Sequence, residues 1–136
     1  MTGRKLKYAI AGGIVLAGKS MGGRVAGHLA ASGEPCLGLA FLGYPLLSPG
    51  KGTPRDTSHL EGLRLPVLFL GGSRDRLAPL GLLRPLAARL PRARLVVLEG
   101  ADHSFGVKAV PGARGEEMLD RLAEEMAAWL AGLGGR

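Results

Sequence analysis

Four short apolar runs punctuate the chain: Gly12–Ala17, Cys36–Leu42, Val67–Leu70 and Leu95–Leu98. Each is hydrophobic throughout instead of alternating, the pattern of strands covered on both faces. Between and after them lie segments of helical character. One runs from about Met21 to Ala31 and stops at Ser32-Gly33; another covers Leu80–Leu90. Pro85 inside the second predicts a late start or a kink. The last covers Glu116–Leu130, where Leu119, Leu122, Met126 and Trp129 recur every three or four residues and Glu116 and Glu117 occupy the first turn. Ser48–Ser58 is rich in Gly, Pro and charge and reads as a loop. The order β-α-β-β-α-β-α, with a loop or short helix between the second and third strands, predicts an α/β fold. Its expected form is three layers, α/β/α, around a mostly parallel sheet of about four strands. Ligands of such sheets sit beyond the carboxyl ends of the strands.

Composition narrows the picture. The 136 residues suit one domain with one core; residues 12–136 are expected to form it and residues 1–11 to be poorly ordered or a remnant. The net charge of +7 raises nucleic acid as a partner. However, 13 of the 18 basic residues are Arg scattered from Arg4 to Arg136, without a basic run or interleaved aromatics, so the reading is no nucleic acid. Cys36 is the only cysteine, which excludes an internal disulfide and a Cys-built zinc site; at the head of an apolar run it reads as a small buried hydrophobe. Arg4, Lys5 and Lys7 before Tyr8–Gly18 mimic a secretory signal. That stretch is too short to cross a bilayer, and cleavage would remove the strand carrying the best motif. The expectation is a cytoplasmic protein without a membrane partner.

The strand ends hold the chemistry. Gly18-Lys19-Ser20-Met21-Gly22 matches G-x-S-x-G between a strand and a helix. There Gly18 and Gly22 would allow a tight elbow, Ser20 would project above the sheet, and the Met21 N–H would face a developing oxyanion. Gly13–Ser20 also satisfies the phosphate-loop pattern G-x-x-x-x-G-K-[ST] literally. Its middle residues are Ile, Val, Leu and Ala, which suit a strand better than a loop wrapped on an anion, and nucleotide binding is the lesser alternative. Asp75 follows the third strand and His103 the fourth, whereas His28 falls mid-helix and His59 follows the Pro-rich loop. An Asp there is commonly a turn or capping residue and a His a surface residue. The agreement of three strand ends in the order Ser, Asp, His favours a triad over three separate accidents.

The blocks Gly18-Lys19-Ser20-Met21-Gly22-Gly23-Arg24, Leu42-Gly43-Tyr44-Pro45-Leu46, His59-Leu60, Pro66–Asp75 and Gly100-Ala101-Asp102-His103-Ser104-Phe105 resemble the dienelactone-hydrolase-like branch of the α/β-hydrolases. The resemblance is closest to small bacterial proteins related to the testis-expressed and NSL-complex hydrolase-like domain, and covers roughly residues 12 to 132, so residues 12–136 are expected to be the C-terminal portion of an α/β-hydrolase domain. It implies Ser20 as nucleophile, His103 as base, Asp75 as acid, a small-molecule acyl substrate, and neither metal nor organic cofactor. It also implies an N-terminal block with a second oxyanion donor, for which Met1–Ala11 is too short. The chain is therefore expected to be a fragment or a reduced hydrolase, weak in turnover by itself, with a non-catalytic interaction module as the alternative. Without that block, Gly12–Ala17 is expected to be an unprotected edge strand open to self-association.

Overall fold

Three consecutive strands are each followed by a segment that crosses back over one face, so their successors align parallel. The computed structural model describes residues 5–10 and 13–134. Its elements are β1 (Lys5–Ile10), β2 (Gly13–Lys19), α1 (Met21–Ala31), β3 (Gly38–Leu42), α2 (Ser58–Glu61), β4 (Val67–Gly72), α3 (Leu80–Arg89), β5 (Ala93–Leu98) and α4 (Gly115–Gly134). They form one sheet of order β1-β2-β3-β4-β5. β2 to β5 are mutually parallel and β1 is antiparallel to β2.

Successive side chains of a strand point to opposite faces, and two cores result. Leu16, Leu39, Phe41, Val67 and Phe69 face one way and pack with Ala26 and Ala30 of α1, Leu60 of α2, and Leu83 and Leu86 of α3. Val15, Ala17, Ala40, Leu68 and Leu70 face the other way, against Met118, Leu122 and Trp129 of α4. Fully burying one such Leu or Phe contributes about 1.5–3 kcal/mol. β4, central and covered twice, is buried at every position, whereas the outer strand β5 alternates.

Several expectations change. β2 is not an edge strand: it pairs with β1 from Lys5↔Gly18 to Ile10↔Gly13 and with β3 from Val15↔Gly38 to Lys19↔Leu42. Only residues 11 and 12 separate β1 from β2, a spacing that favours antiparallel hairpin pairing. Self-association through an open edge at residues 12–17 loses its premise, because both sides of that strand are occupied. The sheet has five strands, four of them parallel. α3 begins at Leu80 despite Pro85. Pro85 and Gly81 are both exposed, so the carbonyl four residues before the proline can meet water. In α4 the core stripe is Met118, Leu122 and Trp129, with Met126 packed against it, while Leu119 is exposed. Cys36 is half-buried just before β3, and burial pushes its thiol pKa up. Among the described residues no helix is long and apolar enough to cross a membrane.

Candidate functional site

Ser20 lies between the last residue of β2 and the first of α1, with φ 53° and ψ −119°. A side-chain-bearing residue in that region is strained, and the surroundings hold it there. Its N–H donates to the Leu42 carbonyl (2.9 Å), and its own carbonyl accepts from Gly23 N–H (2.9 Å) and Arg24 N–H (3.3 Å). The turn is tight enough that α1 crosses directly over the strand end. A Cβ on Gly18 would overlap the Gly22 carbonyl group, which is the steric reason for glycine at the first position of the motif. Met21 and Gly22 open the helix, where N–H groups lack an intrahelical acceptor. Among the described residues the Met21 N–H donates to no other group, leaving it available for an oxyanion.

Asp75 sits in the turn from β4 to α3, its side chain fully shielded from solvent. Oδ1 accepts from the N–H of Leu77 (2.9 Å) and Ala78 (3.2 Å). Both carboxylate oxygens reach Nδ1 of His103, Oδ1 at 3.0 Å and Oδ2 at 2.9 Å. Nε2 of His103 lies 2.9 Å from Ser20 Oγ. The structure thus joins the three candidates into one hydrogen-bonded line from three strand ends. The imidazole is about one-quarter exposed.

Three further residues position this line and were given no role from sequence alone. Gly43, with φ +64°, lies against the His103 carbonyl, His103 Nδ1 and Asp75 Oδ2; a Cβ there would sit 3.4–3.5 Å from all three. Asp102 staples the loop carrying His103, accepting from the N–H of Ser104 (3.0 Å) and Gly106 (2.8 Å). Phe105 adopts φ 62° and is buried in the α4-side core, so burial of its ring offsets the backbone strain. Their clue is the run Asp102-His103-Ser104-Phe105, but its meaning depends on where the loop packs. A cleft of about 250 Å³ beside His103 is lined by Arg74, Arg76, Asp102 and Ser104.

The phosphate-loop match folds as a strand. Gly13–Lys19 is β2, its backbone committed to β1 and β3, so its N–H groups do not converge on an anion. Among the described residues no three His, Cys, Asp or Glu side chains are grouped to hold a metal ion. His28 and His59 stand outside the Ser–His–Asp line and stack on each other, with centroids 3.7 Å apart and planes 10° from parallel. Burial first, then the charges of His28 and Arg24, hold the His59 pKa below its ordinary 6.5; Asp56 opposes them. The unfolded chain therefore takes up the proton more readily than the folded one. Stability contributed by neutral His59 is fully present above pH 6.5 and is lost as pH falls through the lower folded value. The melting temperature should drop on acidification below about pH 6, and His59→Gln should flatten that drop. An unchanged slope in the variant would remove His59 from the account.

The chain belongs to the α/β-hydrolase family: residues 4–131 match the family model described as "Alpha/beta hydrolase domain". That match also takes in residues 4–11, ahead of the blocks that carry the resemblance in sequence. Among solved structures, a thermophilic esterase from Thermogutta terrifontis is 19% identical with a TM-score of 0.67, covering 90% of this chain and 66% of its own. A dienelactone hydrolase-like protein from Klebsiella pneumoniae is 24% identical at 0.66, covering 86% and 51%. A CIB-like hydrolase from Thermoplasma acidophilum is 20% identical at 0.59, covering 81% and 48%. These likenesses establish the shared fold, and the chain spans from about half to about two thirds of the length of these three structures.

Proposed function

We propose that the protein is a serine hydrolase acting on an ester-like or other acyl bond. The observation that carries this is the hydrogen-bonded line Ser20–His103–Asp75 at a strained strand-to-helix turn. His103, donating from Nδ1 to the Asp75 carboxylate, presents the Nε2 lone pair to the Ser20 hydroxyl. As Oγ attacks the acyl carbon, His103 takes its proton and the carbonyl oxygen gains the negative charge, which the Met21 N–H stabilises. Collapse returns the proton through His103 to the leaving group and leaves an acyl-Ser20. Water then attacks with the same histidine as base, releasing the acid and regenerating the hydroxyl. Asp75 fixes the tautomer and stabilises the imidazolium.

A fluorophosphonate probe tests the nucleophile without requiring complete turnover. Incorporation of one phosphonyl group, mapped to Ser20 by peptide mass spectrometry and absent in Ser20→Ala, is the expected result. Folded protein that stays unlabelled at saturating probe would contradict the reading.

A further inference from the structure

Beside the Ser20 turn, on the face carrying α1 and α2, the fold gathers more positive charge than it balances. Arg24 and His28 come from α1, Tyr44 follows β3, Arg55 and Asp56 lie in the loop before α2, and His59 is on α2. The Tyr44 hydroxyl lies 3.3 Å from His59 Nε2. Burial raises the Tyr44 phenol pKa to about 12, while the charges of both Arg24 and Arg55 pull against that rise. The two guanidinium groups therefore bear on the same phenol from different segments.

Among the described residues neither is held in an ion pair, although the charge of Asp56 acts on Arg24. Nη1 of Arg24 and Nε of Arg55 are completely shielded and have no hydrogen-bond partner among the described residues. The sequence contains 11 Asp and Glu residues, all within the described part. None forms an ion pair with Arg24 or Arg55, for the ion pairs to Arg are those of Arg89 with Glu61, Arg94 with Glu125, and Arg114 with Glu116 and Glu117. Asp56, the carboxylate within range, accepts instead from the Ser58 N–H. Arginine forks match carboxylate and phosphate oxygens geometrically, and shielded donors without acceptors are costly.

We propose that Arg24 and Arg55, converging on Tyr44, form an oxyanion-binding site that takes a carboxylate or phosphate group from outside this chain. The site does not depend on the hydrolase reading. The bound anion is either free or a charged group carried by the acyl substrate, since Arg24 is one helical turn from Ser20.

Calorimetric titration with inorganic phosphate and with succinate tests this, using the wild-type chain and Ser20→Ala. Saturable binding of one or both anions, equal in the two proteins and at least about tenfold weaker in Arg24→Met and Arg55→Met, is expected. Arg24→Lys should retain part of the affinity. The ring signals of His59, followed by NMR against pH, need no substitution: a bound anion offsets the neighbouring charges, so its titration should move upward. Failure of both anions to saturate, a motionless His59 titration, or binding that survives both Met variants overturns the site. Two p-nitrophenyl esters separate the sources. A rise in KM confined to the hemisuccinate and absent for the acetate in Arg24→Met assigns the anion to the substrate. Phosphate binding without that selectivity assigns it to a free anion.

Discussion

Asp75→Asn should slow phosphonylation of Ser20 by about 10³–10⁴-fold while the fold survives. The size of the effect follows from how the carboxylate is held. Oδ1 is tied to the N–H groups of Leu77 and Ala78 as well as to His103 Nδ1. An asparagine amide in this pocket would keep its oxygen on those two donors and turn its NH₂ toward the imidazole. Donation from that NH₂ forces the proton of His103 onto Nε2. The ring then donates to Ser20 Oγ instead of accepting from it, and the hydroxyl loses its base. Volume hardly changes, so the melting temperature should stay close to wild type. Second-order labelling rates, read beside a thermal melt, make the distinction. A variant labelled within about tenfold of wild type would show that Asp75 is a capping residue for the Leu77 turn and nothing more.

Gly18→Ala should cost the fold about 3 kcal/mol or more. Its Cβ would meet the Gly22 carbonyl group and the Gly23 nitrogen, all backbone. A flexible side chain could move aside, whereas the first turn of α1 cannot without pulling Ser20 off the end of β2. β2 is inside the sheet and α1 covers one of its faces, so the strain reaches the core containing Leu16 and Ala26. Gly81→Ala is the matched control. Gly81 lies in the first turn of α3 with no neighbouring atom within 4 Å of a new Cβ, and the reduced freedom of the unfolded chain should stabilise it by about 0.4–1 kcal/mol. Urea unfolding of the two variants should move in opposite directions. A loss below 1 kcal/mol for Gly18→Ala would mean that the elbow relaxes more easily than its packing indicates.

The consequences for function are linked through one geometric fact. The elbow that strains Ser20 also brings the start of α1 over the sheet, leaving the Met21 N–H without an acceptor among the described residues and placing Arg24 one turn away. The Ser20 hydroxyl, the Met21 N–H and the guanidinium of Arg24 are therefore products of one turn, and a change at Gly18 should disturb all three together.

What the sequence determined by itself was the part written in local pattern. Unbroken apolar runs define strands covered on both faces, and β2 to β5 lie where those runs are. The G-x-S-x-G turn, being a contact between residues four apart, is complete within its own segment. The strand-end positions of Asp75 and His103 could be read because parallel strands separated by crossovers all finish at one edge of the sheet. Tertiary structure decided what depends on partners distant in sequence. The covering of β2 by β1 rests on backbone pairing, which Lys5–Ile10 can make irrespective of side-chain identity. The replacement of Leu119 by Met118 in the core stripe depends on the angle at which α4 lies on the sheet. Gly43 acquires its role only when the end of β3 comes against Asp75 and His103. The Arg24–Tyr44–Arg55 cluster exists because a helix, a strand end and a loop converge. Charge balance is a property of that assembled volume: the chain holds carboxylates enough to pair both arginines, but folding brings none into an ion pair with either.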